Sequence, residues 1–200
     1  MKLSRYYRTL GGVPRWSIVR LTQPQNVLEH TALVAMYAHD IAKILGYEGD
    51  MGELLRQCLH HDLPEVETGD LPSPIKSRIS NKATIAKYED EILSRRFDIS
   101  DESVDANMHE ILKVADILEG VLKLAEEVAV GNRAVLAVLC SMTSMLFERI
   151  EKLEFAEDKR LSLKHNVVQA IRDEMSGYDG IRSELEGQGF EFWSSILNED

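Results

Sequence analysis

The 200-residue sequence has only two cysteines and five prolines, and no apolar run approaches the roughly 20 residues needed to cross a bilayer. Two cysteines cannot form a disulfide scaffold. Cys58 and Cys140 fall inside helical patterns and read as reduced, buried thiols of a cytoplasmic protein. The opening MKLSRYYRTLGG has no apolar core of the kind that directs secretion. Basic charge is also scarce. The formal net charge of −11 argues against a nucleic-acid polymer as partner. A small anionic substrate stays open, provided that its site is made locally positive by a metal or by a few Arg and Lys residues. No stretch alternates apolar and polar residues with period two, so strands are not expected. Four familiar templates are missing: G-x-x-x-x-G-K, a strand-linked G-x-G-x-x-G, C-x-x-C and G-x-S-x-G. Their absence turns attention to metal-assisted hydrolysis.

What is present is helical almost throughout, in one domain of normal hydrophobic content. At this length folding should bury about 70% of the extended-chain surface. Residues 4–10 form a short amphipathic segment, stopped by Gly11-Gly12. A loop carrying Pro14, Arg15, Trp16 and Arg20 follows. Asn26 with Glu29 is a capping-box signature, opening a helix that runs to about Leu45 and stops at Gly46. Asp50 with Glu53 repeats it, and Pro64 should end that helix so that His61 and Asp62 lie in its last turn. Gly69, Pro72 and Pro74 make residues 66–81 an irregular loop, and helix resumes from about Lys82 to Phe97. The acidic DISDESVD leads to a long helix at about 104–130, closed by Gly131-Asn132; helices at about 132–152 and 159–176 follow. The tail, 180–200, carries Phe190, Phe192, Trp193, Ile196 and Leu197, which should dock on the body or on a second subunit.

The chemistry concentrates at LLRQCLHHDLPEVETGDLPSP. His61 and Asp62 stand about 100° apart on a helix and could reach one ion; Glu65 follows three residues later. His30 shares an inward face with Val34, Tyr37 and Ile41, and by itself reads as a core histidine with a hydrogen-bond partner rather than a ligand. Asp116, inside ILKVADILEG, has apolar neighbours; a carboxylate there needs a cation such as a lysine, a metal or a hydrogen-bond network. Gly120, one turn on, removes bulk and could leave room for a ligand. Two imidazoles and two carboxylates would suit Mn²⁺, Co²⁺ or Fe²⁺, with Zn²⁺ and Mg²⁺ compatible.

The order H…HD…D, with the TGDLP-S-P and K-x-AD contexts, resembles the HD-domain metal-dependent phosphohydrolases, and most of all the bacterial HD-domain 5′-deoxynucleotidases. The matching stretches are Arg15-Trp16, NVLEH at 26–30, HDLPEVETGDLPSPIK at 61–76 and ADILEGVLKLAEEVAVGN at 115–132, within residues 1–150. The resemblance implies an all-α HD-domain bundle in which His30, His61, Asp62 and Asp116 hold one divalent metal, Mn²⁺ or Co²⁺ being favoured. It implies that Glu65 is the catalytic carboxylate, able to position an attacking water or relay its proton. It places Asp70, Leu71, Pro72 and Ser73 in a loop that contacts the nucleotide, Asp70 at the sugar 3′-hydroxyl. Arg15 would neutralise phosphate. Trp16, otherwise readable as a core anchor, would crowd out a 2′-hydroxyl. Lys76, with Arg78 and Lys82, could hold phosphates. His60, adjacent to the motif, projects elsewhere and is not a ligand.

The expected reaction is hydrolysis of a deoxynucleoside 5′-monophosphate to deoxynucleoside and phosphate. The alternative is a deoxynucleoside triphosphate triphosphohydrolase releasing tripolyphosphate. A non-catalytic helical nucleotide-binding module is disfavoured by the intact ligand set. A cytoplasmic homo-oligomer is implied, without nucleic-acid polymer or membrane as partner.

Overall fold

A computed structural model describes residues 3–72, 87–89, 91–94 and 105–175. The helices are α1 (Leu3–Leu10), α2 (Val27–Leu45), α3 (Met51–His60), α4 (Glu65–Thr68), α5 (Ala106–Ala129), α6 (Leu136–Glu151) and α7 (Glu157–Glu174), with a 3₁₀ turn at Arg133–Val135 before α6. Residues 87–89 and 91–94 are also helical; the rest of the helix expected at 82–97 lies outside the described residues, as does the aromatic tail. No strand occurs among the described residues. Among the described residues, one isolated antiparallel bridge, between Pro14 and Asn26, ties the Arg15–Trp16 loop to the start of α2.

The capping signatures act as read. Asn26 accepts from the Glu29 amide and Asp50 from the Glu53 amide, satisfying donors that a helix N-terminus leaves open. Gly46 ends α2 in the left-handed region, φ 71°. Asp105 caps α5 by accepting from the Met108 amide.

The reading of the α3 end needs two corrections. The helix stops at His60, so His61 and Asp62 sit in the turn just beyond it, although His61 keeps right-handed helical angles. Nor is the chain irregular from Val66: Pro64 starts the helical turn α4. Proline breaks a helix interior, but its fixed φ fits a first turn, where the missing N–H is not needed.

α5 is the central element. It packs on α2, α6 and α7, and more lightly on α3. Its faces bury Ile111, Val114, Val121, Leu124 and Ala125 against Val34, Ala38 and Ile41 of α2 and Leu139 and Leu146 of α6. Each such side chain contributes on the order of 1.5 to 3 kcal/mol of apolar burial. Contact between α2 and α5 brings together polar groups that lie some ninety positions apart in the chain.

One buried carboxylate shapes the approach to the site. Glu127 of α5 is fully buried and accepts from the amides of Thr22 (2.6 Å) and Gln23 (2.9 Å), the Thr22 hydroxyl (2.8 Å) and Asn132 Nδ2 (2.8 Å). Burial favours the neutral acid, but the hydrogen bonds from Asn132, Thr22 and Gln23 outweigh it and hold the pKa down to about 2. The folded pKa lies below the unfolded one. The stabilisation is therefore complete above about pH 4.5 and is lost as pH falls through the folded value. Glu127→Gln, which turns an amide N–H₂ toward donors, should lower stability at neutral pH by on the order of 2 to 3 kcal/mol. Melting curves from pH 7 down to 3 should show the difference from wild type narrowing below about pH 4.5. A constant difference would remove Glu127 from this role.

Candidate metal and nucleotide site

Four elements supply the site: α2 gives His30, the turn after α3 gives His61 and Asp62, α4 gives Glu65, and α5 gives Asp116. His30, His61 and Asp62 each offer a donor atom within 4.8 Å of the other two. Asp62 Oδ2 lies 3.4 Å from both His30 Nε2 and His61 Nε2. Asp116 Oδ1 lies 3.2 Å from His30 Nε2 and 3.9 Å from His61 Nε2. All four residues expected as metal ligands thus converge. The lysine alternative for Asp116 is present as well: Lys113 Nζ is 4.0 Å from its other oxygen, Oδ2.

Each imidazole is held by its far nitrogen. His30 Nδ1 donates to Glu119 Oε2 at 2.5 Å, and His61 Nδ1 donates to the Cys58 carbonyl at 2.7 Å. With the Nδ1 atoms so engaged, Nε2 is in each ring the nitrogen that faces the carboxylates. Both Nε2 atoms are buried and without a hydrogen-bond partner among the described residues. Buried polar atoms of this kind normally have partners, and a carboxylate or carbonyl behind a ligating imidazole is the usual support of a metal-binding histidine.

The charges agree. Burial pushes the Asp62 carboxyl upward, but His61, His30 and Arg15 outweigh it and hold Asp62 well below the usual carboxylate range. Burial likewise opposes ionisation of Asp116, and His30 and His61 overcome it. At His30 burial works against a cation, yet Asp116, Asp62 and Glu119 raise its proton affinity well above the ordinary value. Two ionised carboxylates facing two imidazole nitrogens form a cavity that attracts a cation. The donor set fits a single divalent ion.

The surrounding residues fit an anionic ligand. Arg15 Nη1 donates to Asp62 Oδ2 at 3.2 Å, while its Nε is buried without a hydrogen-bond partner among the described residues. Its guanidinium lies 5.7 Å from the Trp16 ring centre. Trp16 is the one non-glycine residue with positive φ (65°) among the described residues, a conformation costing on the order of 1 to 2 kcal/mol. It is held there because its amide donates to Asp70 Oδ2 (2.9 Å) and its indole Nε1 donates to Gln25 Oε1 (2.9 Å). Asp70 is thereby tied to the Trp16 loop. The space beside Gly120 is not open to a ligand: a Cβ there would meet Met142 Cε at 2.6 Å and Trp16 Cη2 at 3.4 Å, so the indole packs over the glycine. Glu65 is 3% exposed, and its amide donates to the Asp62 carbonyl at 3.0 Å. Leu71 and Pro72 are half-buried; Ser73, Lys76, Arg78 and Lys82 lie outside the described residues. His60 is engaged elsewhere, donating from Nδ1 to the Arg56 carbonyl and accepting at Nε2 from the Tyr7 hydroxyl.

Two buried residues of the site, Gln25 and Glu119, do not stand out in the sequence as functional. Glu119 had a signal, being three residues after Asp116 on a helix face otherwise rich in apolar side chains. Gln25, in TQPQN, had none.

Comparison with solved structures places this arrangement in a known class. The cyanophage S-2L HD phosphohydrolase, solved bound to dA and one catalytic Zn²⁺ ion, superposes with a TM-score of 0.66 at 25% identity, covering 85% of this chain and 96% of that one. An HD-domain phosphohydrolase from Listeria innocua shares the fold at TM-score 0.74 and 16% identity, over 97% of this chain and 98% of the other. The fold is that of the HD-domain phosphohydrolases.

The sequence narrows the class. Residues 2–95 match the family model described as 5′-deoxynucleotidase YfbR-like. The 5′-deoxynucleotidase of Erwinia tasmaniensis is 30% identical over 155 residues, 68% of this chain and 78% of the relative. The 5′-deoxynucleotidase YfbR of Salmonella arizonae is 32% identical over 153 residues, 66% of this chain and 77% of the relative. The chain belongs to the YfbR-like family of HD-domain 5′-deoxynucleotidases, a family of enzymes.

Proposed function

We propose that this protein hydrolyses deoxynucleoside 5′-monophosphates to deoxynucleoside and phosphate, with one divalent metal held by His30, His61, Asp62 and Asp116. The observation carrying this reading is the meeting of two imidazole Nε2 atoms, without a hydrogen-bond partner among the described residues, with two ionised carboxylates beside Arg15. Family membership supports the substrate class. A divalent ion in this cluster supplies Lewis acidity at the phosphoryl group. Arg15, already oriented by Asp62, pairs with the phosphate through its remaining donors. Glu65, three residues past Asp62 in the same turn, positions the attacking water and takes its proton. Trp16 presents its ring to the sugar and leaves no space or partner for a 2′-hydroxyl; Asp70, Leu71, Pro72 and Ser73 line the nucleotide, and Lys76 adds charge.

Among divalent ions, Mn²⁺ and Co²⁺ suit two imidazoles and two carboxylates, and Zn²⁺, the ion of the cyanophage protein, suits the same set. Two free, buried cysteines are in keeping with a cytoplasmic setting. A homo-oligomer is part of the reading, supported by the aromatic content of the sequence at 180–200. No helix among the described residues is long and apolar enough to cross a membrane.

The test is incubation with the four deoxynucleoside monophosphates and the four triphosphates in Mn²⁺, Co²⁺ or Zn²⁺. Orthophosphate from the monophosphates is the expected product. Tripolyphosphate from the triphosphates, with monophosphates untouched, would replace this assignment by a triphosphohydrolase.

A further inference from the structure

A line of three hydrogen bonds, two buried and one partly buried, joins the sugar-facing loop to the metal cluster. Trp16 Nε1 donates to Gln25 Oε1 at 2.9 Å; Gln25 Nε2 donates to Glu119 Oε1 at 2.5 Å; Glu119 Oε2 accepts from His30 Nδ1 at 2.5 Å. Gln25, Glu119 and His30 are 4%, 1% and 0% exposed, so water cannot substitute for any of these partners.

The direction of the chain is forced. An indole N–H can only donate. The Gln25 atom facing it must therefore be the carbonyl oxygen, which leaves the amide nitrogen facing Glu119. Ionised, Glu119 can only accept, which it does from both sides. The imidazole nitrogen facing Glu119 must then carry the proton. His30 is left with Nε2, the nitrogen that faces Asp62 and Asp116, as the one able to ligate a metal. A carboxylate suits position 119 because it alone accepts from both neighbours. A glutamine there could accept from one and would turn an N–H₂ toward the other.

We propose that Gln25 and Glu119 are positioning residues that couple the Trp16 loop to His30, fixing at once the set of the indole and the metal-binding tautomer of the imidazole. This rests on the reading above, in which His30 is a metal ligand and Trp16 faces the sugar. Neither residue touches substrate. Their effect is exerted through Trp16 at one end and His30 at the other, so a change at Gln25 reaches both metal affinity and sugar selectivity, although its side chain contacts neither ligand nor phosphate.

The experiment compares wild type, Gln25→Met and Glu119→Gln by three measurements: Mn²⁺ affinity by titration calorimetry, the ratio of kcat/KM for deoxyribo- over ribonucleoside monophosphates, and ¹⁵N chemical shifts of His30 in the metal-free protein at a pH high enough for the imidazole to be neutral. Gln25→Met keeps volume and removes both hydrogen bonds. It should weaken Mn²⁺ binding about 10- to 100-fold, as loss of support behind a ligating histidine does, and should lower the deoxy-to-ribo ratio. Glu119→Gln should weaken Mn²⁺ binding in the same way and turn a single His30 tautomer into a mixture. The ¹⁵N shifts report the tautomer directly, which a general loss of stability would not change while the protein stays folded. If Gln25→Met does not fold, Glu119→Gln decides on tautomer and affinity. Wild-type Mn²⁺ affinity and a single tautomer in Glu119→Gln would overturn the proposal. So would a folded Gln25→Met in which only one of affinity and selectivity moves, because the coupling requires both. If wild type itself neither binds Mn²⁺ nor prefers deoxynucleotides, the underlying functional reading fails and this proposal with it. If wild type does both and the variants match it, only the coupling fails.

Discussion

Glu65→Gln should sharply lower turnover while leaving the metal in place. Loss of a positioned general base typically lowers the rate 10²- to 10⁴-fold, so kcat on a deoxynucleoside monophosphate should fall by about that much. The geometry makes the substitution informative. Glu65 opens α4 directly after Pro64, with its amide bonded to the Asp62 carbonyl at 3.0 Å. That bond belongs to the backbone and survives any side-chain change, so His61 and Asp62 should keep their places. The side chain is 3% exposed, and glutamine fills the same volume without offering a proton-accepting carboxylate. KM and Mn²⁺ affinity should stay near wild type, with the loss confined to kcat, the pattern of an interaction made only in the transition state. Single-turnover kinetics and calorimetry on the same preparation separate the two quantities. Near-normal turnover with metal bound would mean that Glu65 does not serve the water.

How much of this arrangement the sequence disclosed depends on the range over which each feature is decided. Asn26 and Glu29 are three residues apart, and a cap is settled within one turn; that start of α2 was therefore readable. The same holds for Gly46 and for Asp50 with Glu53. Pro64 was read for one of its two roles: no helix runs through Leu63, as expected, but proline also suits the first turn of a helix, and that second role produced α4. The donor set lies within stretches that the family resemblance carried; Glu119 lies within one of them too, but nothing there marks it as a support for His30, and Gln25 lies outside them. Glu119 supports His30 only because α2 and α5 cross, bringing positions 89 apart to hydrogen-bond distance. Gln25 connects to both Trp16 and Glu119, one near in sequence and one 94 positions away. A lone glutamine in a loop carries no periodicity and no cap signal that could announce such a role. Gly120 shows the opposite limit. Its small size was noticed, but what uses the space is Trp16, arriving from a loop more than a hundred residues earlier.

Asp62→Asn should be the complement of the Glu65 variant, losing metal and turnover together. Asp62 Oδ2 lies 3.4 Å from each imidazole Nε2 and accepts from Arg15 Nη1 at 3.2 Å. One oxygen thus faces both histidines of the cluster and anchors the arginine assigned to the phosphate. Asparagine keeps the shape but removes the charge, and its amide group can place N–H hydrogens toward Arg15 or the cavity. Loss of a residue merely supporting a ligand costs 10- to 100-fold in metal affinity, so loss of a charged ligand should cost more than about 100-fold. Thermal melts give an independent readout. A metal present at about a hundred times its Kd stabilises the folded state by about 2.7 kcal/mol through mass action. Wild type should therefore melt higher with Mn²⁺ and fall back on chelation, whereas Asp62→Asn should melt at one temperature in both conditions. Substrate affinity should weaken as well, because Arg15 loses the contact that orients it. An Asp62→Asn protein that binds Mn²⁺ as wild type does and still gains stability from it would exclude Asp62 as a ligand. Metal binding would then have to rest on His30, His61 and Asp116, and Asp62 would serve chiefly to hold Arg15.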